Sequence, residues 1–354
     1  MNPFPEHIRL NGQNIRVHEF IEKKHSREYK KELAEFLKEW YGTVDEIEAG
    51  TSGSTGKPKT IRLKKEFVIQ SALRTIHFFG LKAGDSILHC LPLKFIAGKL
   101  MVVRALIGNL DLFITDPGTD FALLQNEKFS FAAMVPHQVT KILESIPAHK
   151  FGLSNPEQML IGGSAIPYSL EKRLQDVSAT CYSSYGMTET ATHIALRKIN
   201  GEGADEYYHC LEGITVQSSD EACLQIFMPG LPQQPLQTTD IVKLTDEKSF
   251  QILGRADNVI ISGGIKYSPE LLEKKLEPFI NEPFLISSLP HESLGQQLVL
   301  VVEEKASQKS IIRLQDFCKK HLDKYERPRQ IIFIPEIPKT GNGKPDRKIT
   351  ILPG

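Results

Sequence analysis

Residues 86–115 read SILHCLPLKFIAGKLMVVRALIGNLDLFIT. Ser86 to Leu91 and Leu110 to Thr115 are short apolar runs that read as buried strands, and Gly98 to Ile107 between them carries a helical pattern. A strand, a helical crossover and a second strand make a parallel pair. Outward from this unit the alternation continues. Lys64 to Phe79 reads as a helix before it. Strands at Phe131 to Val135, Met159 to Ile161 and Ala179 to Ser183 follow, with helices at His137 to Ile146 and Tyr168 to Val177 between them. The pattern predicts a parallel sheet covered on its faces, with ligands at the carboxyl ends of the strands.

Further out the pattern changes. Arg27 to Tyr41 is a polar stretch with helical spacing. Ala222 to Met228, Asp240 to Leu244 and Phe250 to Leu253 are short β-like runs broken by Pro, Gly and charged turns. After Asp257 the layout turns α+β: helices at Pro269 to Phe279 and Ser310 to Leu322, strands near Phe284 to Ser288 and Leu298 to Val302. The expected fold is therefore α/β. A large N-terminal domain, residues 1–256, holds mostly parallel sheet with helices and a small β subdomain over about 210–256, and a smaller α+β domain covers 257–354. No internal repeat or low-complexity segment is present.

The chain has 354 residues, 40% hydrophobic and 24% charged, as a globular protein with a real core requires. Lys+Arg and Asp+Glu both total 43, so the formal net charge is zero and no global basic field draws the chain to nucleic acid or a membrane surface. The longest apolar runs, such as Leu100 to Ile107, are broken by Arg104 and fall short of the roughly 20 residues a bilayer span needs, so no membrane insertion is expected. Met1 to Glu6 has neither a basic n-region nor an apolar h-region, and no signal peptide is expected. The five cysteines are odd in number and lack a CxxC spacing, which argues against a disulfide framework or structural zinc. The cytoplasm is the expected compartment.

Four segments carry chemistry. Thr51-Ser52-Gly53-Ser54-Thr55-Gly56-Lys57-Pro58-Lys59 joins flexible glycines, hydroxyl and amide donors and two lysines, which suits a polyphosphate. It is not the GxxxxGK[ST] loop, because the spacing fails and Pro58 follows Lys57. A mobile Gly/Ser linker fits these residues equally well. Ser184 to Thr190, SYGMTET, sets an aromatic, a hydroxyl and a carboxylate within a few residues of a predicted strand. Base stacking, phosphate binding and an Mg²⁺ ligand are one use of that set, and an ordinary surface turn is the other. Gly254-Arg255-Ala256-Asp257 followed by Ile260-Ile261-Ser262-Gly263-Gly264 offers Arg255 to phosphate or ribose, or is a charged turn with a Gly-Gly break. Pro338 to Lys344, PKTGNGK, is a functional lysine loop or an exposed hairpin with solvating lysines.

In combination and order, these segments resemble the adenylate-forming superfamily of acyl-CoA synthetases, luciferases and peptide synthetase adenylation domains. The resemblance runs from Thr51 to Lys344 over TSGSTGKPK, GGSAIP (Gly162 to Pro167), YGMTE, TTD (Thr238 to Asp240), GRADNVIISGGIKYSPELLE (Gly254 to Glu273) and PKTGNGK. The IISGG run, the compact length and Leu91 to Gly98 are most similar to the o-succinylbenzoate–CoA ligases of menaquinone synthesis.

The resemblance implies a ligase that uses ATP and Mg²⁺ to turn a carboxylic acid into its acyl-AMP and passes the acyl group to a thiol, coenzyme A, releasing AMP and pyrophosphate. It implies that Thr51, Ser52, Gly53, Ser54, Thr55, Gly56 and Lys59 hold the β- and γ-phosphates. Tyr185 would stack on adenine beside Gly162, Gly163 and Ser164, with Gly186 and Met187 in the same ATP-binding set. Thr188 would take the α-phosphate, Glu189 the metal, Asp240 the ribose hydroxyls with Arg255 close by, and Lys344 the charge that builds at phosphorus. Asp257 would be the hinge of a rotating C-terminal domain that brings Gly263 and Gly264 to the thiol channel. Lys94, Phe95 and His137 would fall at the acyl and CoA pocket.

Thr60, Thr239 and Leu271 depart from the family's glycine, glycine and glutamate. Lys94-Phe95 and His137 depart from the Phe-His pair and the threonine expected in the acyl pocket. Only about 50 residues precede the Thr51 loop, so a reduced N-terminal subdomain is expected, with a homodimer to cover exposed apolar surface. Lys94, Lys99 or Arg104 is a candidate to hold a second substrate carboxylate, whereas solvated helix positions would explain Lys99 and Arg104 without any ligand. Three other readings compete: a carrier-protein-loading or other acyl-CoA ligase, a nucleotide-binding protein without catalysis, and a P-loop kinase, which the loop spacing disfavours.

Overall fold

The computed structural model describes residues 2–50, 60–118, 127–145, 155–338 and 347. The expected phosphate loop, Thr51 to Gly56 with Lys59, and the expected catalytic Lys344 lie outside the described residues. The chain divides into two compact units, Met1–Ile214 with Met228–Pro232, and Thr215–Phe227 with Gln233–Gly354.

The first unit opens with a hairpin, β1 (His7–Leu10) and β2 (Gln13–Arg16), and two helices, α1 (Val17–Glu22) and α2 (Glu28–Tyr41). A second hairpin, β3 (Glu46–Gly50) and β4 (Thr60–Lys64), leads into α3 (Lys65–Phe79). The predicted alternation follows as β5 (Ser86–His89), α4 (Ile96–Gly108), β6 (Asp111–Ile114), β7 (Phe129–Met134), α5 (Pro136–Ser145), β8 (Pro156–Ile161), α6 (Tyr168–Leu174) and β9 (Thr180–Gly186). Two further strands, β10 (His193–Lys198) and β11 (Tyr208–Cys210), complete it. Their order is β11-β10-β9-β8-β7-β5-β6-β1-β2. β5 pairs in parallel with β6, Ser86 opposite Asp111, so the stretch 86–115 forms the parallel pair its sequence predicts. β7, β8 and β9 continue in parallel, while β10 and β2 run antiparallel beside β9 and β1.

On one side of this sheet Leu88, Phe129, Met134, Val139, Ile142, Ile161, Leu170 and Cys181 form a contiguous core. α4 packs against α3 and is buried on every side: Ile96 and each residue from Gly98 to Gly108 is inaccessible or nearly so. A helix that is apolar all round belongs in a core. The expectation of solvated positions at Lys99 and Arg104 is therefore corrected, since both are buried, at 8% and 2% exposure.

In the second unit β12 (Thr215–Ser218), β13 (Cys223–Phe227), β14 (Leu236–Asp246) and β15 (Ser249–Arg255) form an antiparallel sheet in chain order. Beyond it lie β16 (Ile260–Ser262), β17 (Ile265–Tyr267), α7 (Pro269–Leu276), β18 (Phe284–His291), β19 (Gly295–Glu303), α8 (Gln308–His321) and β20 (Gln330–Ile334). β19 is central, antiparallel to β16 and β18 and parallel to β20. Ile260, Leu272, Leu276, Ile286, Leu300 and Leu314 join α7 and α8 to this sheet. α7 starts with Pro269 in its first turn, where the missing N–H costs nothing. The Ser307 hydroxyl caps α8 by accepting the Ser310 N–H at 3.1 Å. The α/β class and the smaller α+β region are both present. Among the described residues no helix is long and apolar enough to cross a membrane.

Candidate active site

In the first unit the expected site residues follow the carboxyl ends of four adjacent parallel strands. Lys94 and Phe95 come after β5, His137 after β7, Gly162 to Ser164 after β8, and Tyr185 to Glu189 end and follow β9. Close backbone approach shapes these loops. A Cβ on Gly162 would collide with Ser184 Oγ, one on Gly186 with Thr192 O, and one on Gly98 with the Pro92 carbonyl. Tyr185 is buried at 8% exposure with its ring edge-on to Tyr208, centroids 6.0 Å apart. Tyr208 is held in turn by Ser183 Oγ at 2.8 Å and by the Arg197 guanidinium 5.9 Å from its ring. Arg197 is fixed by a two-pronged pair with Glu171, both bonds 2.8 Å.

Met187 enters a short 3₁₀ turn, Thr188–Thr190, whose Thr190 hydroxyl lies 3.2 Å from the Met187 N–H and 2.6 Å from Thr192 O. Glu189 on that turn is exposed and has no hydrogen bond or ion pair among the described residues. Gln138, which sequence reasoning missed, braces the neighbouring loops: its amide donates to Cys90 O at 3.0 Å and Gly118 O at 2.8 Å, and its carbonyl accepts the Val135 N–H at 3.1 Å. His137 beside it is exposed. The hairpin β3–β4 pairs Gly50 with Thr60, and Gly50 also bridges Phe95, so the residues flanking the Thr51 loop stand beside the loop after β5.

The three basic residues proposed for a second carboxylate separate cleanly. Lys94 is exposed, its ammonium 5.1 Å over the Phe95 ring. Lys99 is spent internally, on Glu39 at 2.5 Å and Glu48 O at 2.7 Å. Among the described residues Arg104 has no carboxylate partner. Its Nη1 reaches only Met101 Sδ at 3.4 Å, and its Nε is buried with no partner among the described residues. Burial pushes this guanidinium down to about 9, so it keeps its charge at neutral pH.

His193 lies near that cation. Burial first, and the Arg104 charge second, hold it well below its ordinary value, so it is neutral. Its Nε2 is 3.3 Å from Thr75 Oγ1 and its Nδ1 3.1 Å from Thr192 Oγ1. Ser71 Oγ, one turn before Thr75, is also buried without a partner among the described residues. Desolvated polar atoms left unmatched cost free energy.

In the second unit Arg255 is the hub. It stands opposite Asp240 across β14–β15 and donates to Asp240 Oδ1 at 3.1 Å, Thr239 Oγ1 at 2.7 Å and Asp257 Oδ2 at 2.9 Å. Thr239, the departure from the family glycine, also donates its hydroxyl to Asp257 at 3.0 Å. Gly263 and Gly264, both at positive φ (58° and 82°), form the two-residue turn of the β16–β17 hairpin, a conformation that suits glycine.

Two family models match the chain: AMP-binding enzyme over residues 51–217 and AMP-binding enzyme C-terminal domain over 285–344. A 2-succinylbenzoate–CoA ligase of Lactococcus lactis is 28% identical over 319 residues, covering 84% of this chain and 69% of that one. A crystal structure of an acyl-CoA synthetase (AMP-forming)/AMP-acid ligase II-like protein from Dyadobacter fermentans is 33% identical, with TM-score 0.64, covering 92% of this chain and 95% of that one. The o-succinylbenzoate CoA synthetase of Bacillus subtilis, solved with its acyl-adenylate intermediate, shares the fold at 21% identity and TM-score 0.71, covering 87% and 69%. The same enzyme has been solved with ATP and a magnesium ion, at 21% identity and TM-score 0.69, covering 85% and 68%.

Proposed function

This chain belongs to the family of AMP-binding enzymes, and on that footing we propose that it is an ATP-dependent acid–thiol ligase that activates 2-succinylbenzoate as its acyl-adenylate and transfers the acyl group to coenzyme A. The observation that carries the choice of acid is Arg104: a buried, charged guanidinium with no carboxylate among the described residues. A monoacid would leave that charge unmatched. A diacid can present one carboxylate to ATP and the other to Arg104, where a charge-assisted hydrogen bond in a desolvated site is strong. Neutral His193 and Thr75 border that second carboxylate. Lys99, committed to Glu39, takes no part.

Glu189, exposed and unpaired among the described residues, fits a hard cation that keeps waters and phosphate oxygens as its other ligands. Mg²⁺ bound there would offset the negative charge of the triphosphate. We assign the α-phosphate to Thr188, the adenine face to Tyr185 with Gly162 to Ser164, Gly186 and Met187 around it, and the ribose hydroxyls to Asp240, oriented by Arg255. Thr51 to Gly56 and Lys59 take the outer phosphates, and Lys344 the charge developing as carboxylate oxygen attacks phosphorus. The reading keeps residues 1–256 as the adenylating core and 257–354 as a domain turning about Asp257, with Gly263 and Gly264 lining the thiol's approach and Lys94, Phe95 and His137 near the acyl and CoA groups. It also places the enzyme in the cytoplasm, as a homodimer that covers exposed side chains such as Val44 and Phe78, 66% and 44% accessible.

The test is pyrophosphate release from ATP and Mg²⁺ with 2-succinylbenzoate, with and without coenzyme A, beside the same acid lacking its ring carboxylate. Release that prefers the diacid, and a CoA thioester as product, are the expected results. Release with an unrelated monoacid alone overturns the choice of acid, and no release across a broad acid panel overturns the ligase.

A further inference from the structure

Cys181, Ser183 and Tyr185 alternate along β9 and share one face. It is the face that α6 covers, since Cys181 packs with Leu170 and Leu174 of that helix. Across the sheet, Arg197 on β10 stands opposite Ser183, and Ala195 stands opposite Tyr185. Ala195 is also opposite Cys210 on β11, which brings Tyr208, two residues earlier, level with Arg197. Residues directly opposed in antiparallel strands share a face. Ser183, Arg197 and Tyr208 therefore form one row across three strands, and the next row offers only the Ala195 methyl beside Tyr185. Tyr208 reaches diagonally over that methyl. Its ring meets Tyr185 edge-on, centroids 6.0 Å apart and planes at 62°, while its hydroxyl lies 2.8 Å from Ser183 Oγ.

Tyr208 is itself anchored from outside the sheet. The Arg197 side chain, 12% exposed, meets Glu171 on α6 in two bonds of 2.8 Å and lies 5.9 Å from the Tyr208 ring. A desolvated ion pair gives little net stability over an apolar pair of the same volume. A planar fork on a carboxylate gives geometric definition instead, because both the position and the direction of the arginine are fixed. A cation fixed over an aromatic face then favours one placement of that ring. Tyr185 keeps 8% exposure, so the plane of its ring is set by its neighbours, and edge-on contact is a geometry aromatic pairs prefer. The contacts thus run from Glu171 through Arg197 and Tyr208 to Tyr185. None of the first three belongs to the motifs that carry the family resemblance.

We propose that Tyr208 and the Arg197–Glu171 pair behind it are positioning residues for the nucleotide, holding the Tyr185 ring in the plane on which adenine stacks. The proposal rests on the reading above, in which Tyr185 takes the adenine face. The three residues act through Tyr185 and touch no substrate. Their effect falls on the affinity for ATP and spares the acid, whose second carboxylate is assigned to Arg104 on a different element, α4.

The experiment compares Tyr208→Leu, Tyr208→Phe, Arg197→Lys and Tyr185→Leu in the full chain. Two constants are measured for each: the Kd for ATP with Mg²⁺ by calorimetry, no acid present, and the KM for 2-succinylbenzoate at saturating ATP. Tyr208→Leu is expected to raise the Kd for ATP about three- to tenfold, the scale of one aromatic pair, and to leave the KM for the acid within about twofold. Arg197→Lys keeps the charge and loses the fork, and is expected to raise the Kd for ATP about two- to fivefold. Tyr208→Phe keeps the ring and loses the bond to Ser183, and its rise is expected to be smaller than that of Tyr208→Leu. Unchanged ATP binding in the Tyr208 and Arg197 variants where Tyr185→Leu weakens it, or an equal rise in both constants, overturns the brace. Full ATP binding by Tyr185→Leu overturns the assignment of Tyr185 itself, and the brace with it. Lack of turnover with 2-succinylbenzoate bears on the choice of acid, and the ATP constants then decide the brace alone. Thermal melting of each variant separates a misplaced ring from an unfolded chain, and if Tyr208→Leu does not fold, Tyr208→Phe and Arg197→Lys carry the same comparison.

Discussion

Arg104 in the first unit and Arg347 in the second are the same chemical group in opposite circumstances. Arg104 is almost wholly buried on α4 and, among the described residues, bonds only the Met101 thioether. Arg347 is less buried and is gripped by Glu273, with Glu270 beside it. Among the described residues the first unit thus keeps a desolvated charge unmatched, and the second neutralises its own. A protein gains nothing for its fold from an unmatched interior cation. The free energy spent on Arg104 can be recovered only when an anion arrives, whereas that spent on Arg347 is recovered within the fold. On the function proposed above, one cation serves a ligand, whereas the other is matched within its own unit.

The largest effect that could break this contrast is on stability. Arg347→Ala leaves Glu273 desolvated and alone, and is expected to cost about 3–5 kcal/mol, read by urea denaturation. Arg104→Met removes a charge that has no partner, and is expected to leave stability unchanged or raise it by about 1–4 kcal/mol. The same variant is expected to lose about ten- to a hundredfold in apparent affinity for the diacid, the scale of one charged hydrogen bond, while a monoacid is handled as before. Equal destabilisation by the two substitutions would dissolve the contrast, and an undiminished preference for the diacid would remove Arg104 from the acyl site. Lys99→Met gives a smaller, sharpening control from the same helix. It strands Glu39, whose side chain is 28% exposed, and is expected to cost about 1–2 kcal/mol with diacid discrimination intact.

The distinction between these cations was not legible in the sequence. The sheet was, because strands of a parallel sheet are buried on both faces and appear as short unbroken apolar runs, as Ser86 to Leu91 and Leu110 to Thr115 do. The flanking hairpin β1–β2 and the three-residue β11 are short and partly exposed, and β10, though mostly buried, carries only Ile194 to Leu196 as an apolar run between His193 and Arg197. Lys99 and Arg104 read as solvated because charge on a helix usually is. The partner that permits burial of Lys99, Glu39, lies sixty residues earlier in the chain, and the lack of one for Arg104 is a fact of three dimensions. The braces Gln138, Arg197 and Tyr208 were missed for a related reason: each acts through one or two long-range contacts that no local pattern encodes. Thr239 was legible only as a departure from the family's glycine, and its hydroxyl proves to tie Arg255 to Asp257.

The smallest effect separates the two units by pH. Among the described residues the first unit buries two neutral histidines. Desolvation pushes His89 down to about 3 from an ordinary 6.5, and burial with the Arg104 charge holds His193 well below that ordinary value. Each accepts a proton less readily folded than unfolded. Below the unfolded value the unfolded chain therefore binds more protons, and stability falls as pH falls through 6.5 toward the folded value. From about pH 7.5 to about 5.5 the expected loss is about 1 kcal/mol per histidine. No histidine of the second unit is buried among the described residues. Glu273 there is pushed up by burial against the pull of Arg347, so it holds its proton more tightly folded than unfolded, and acid draws no stability from the second unit through it. Hydrogen exchange is thus expected to show weakened protection in β8 and β9 and steady protection in β18 and β19 over this window. Equal loss in both pairs would mean that the unmatched cation and its neutral neighbours do not set the acid response of their unit.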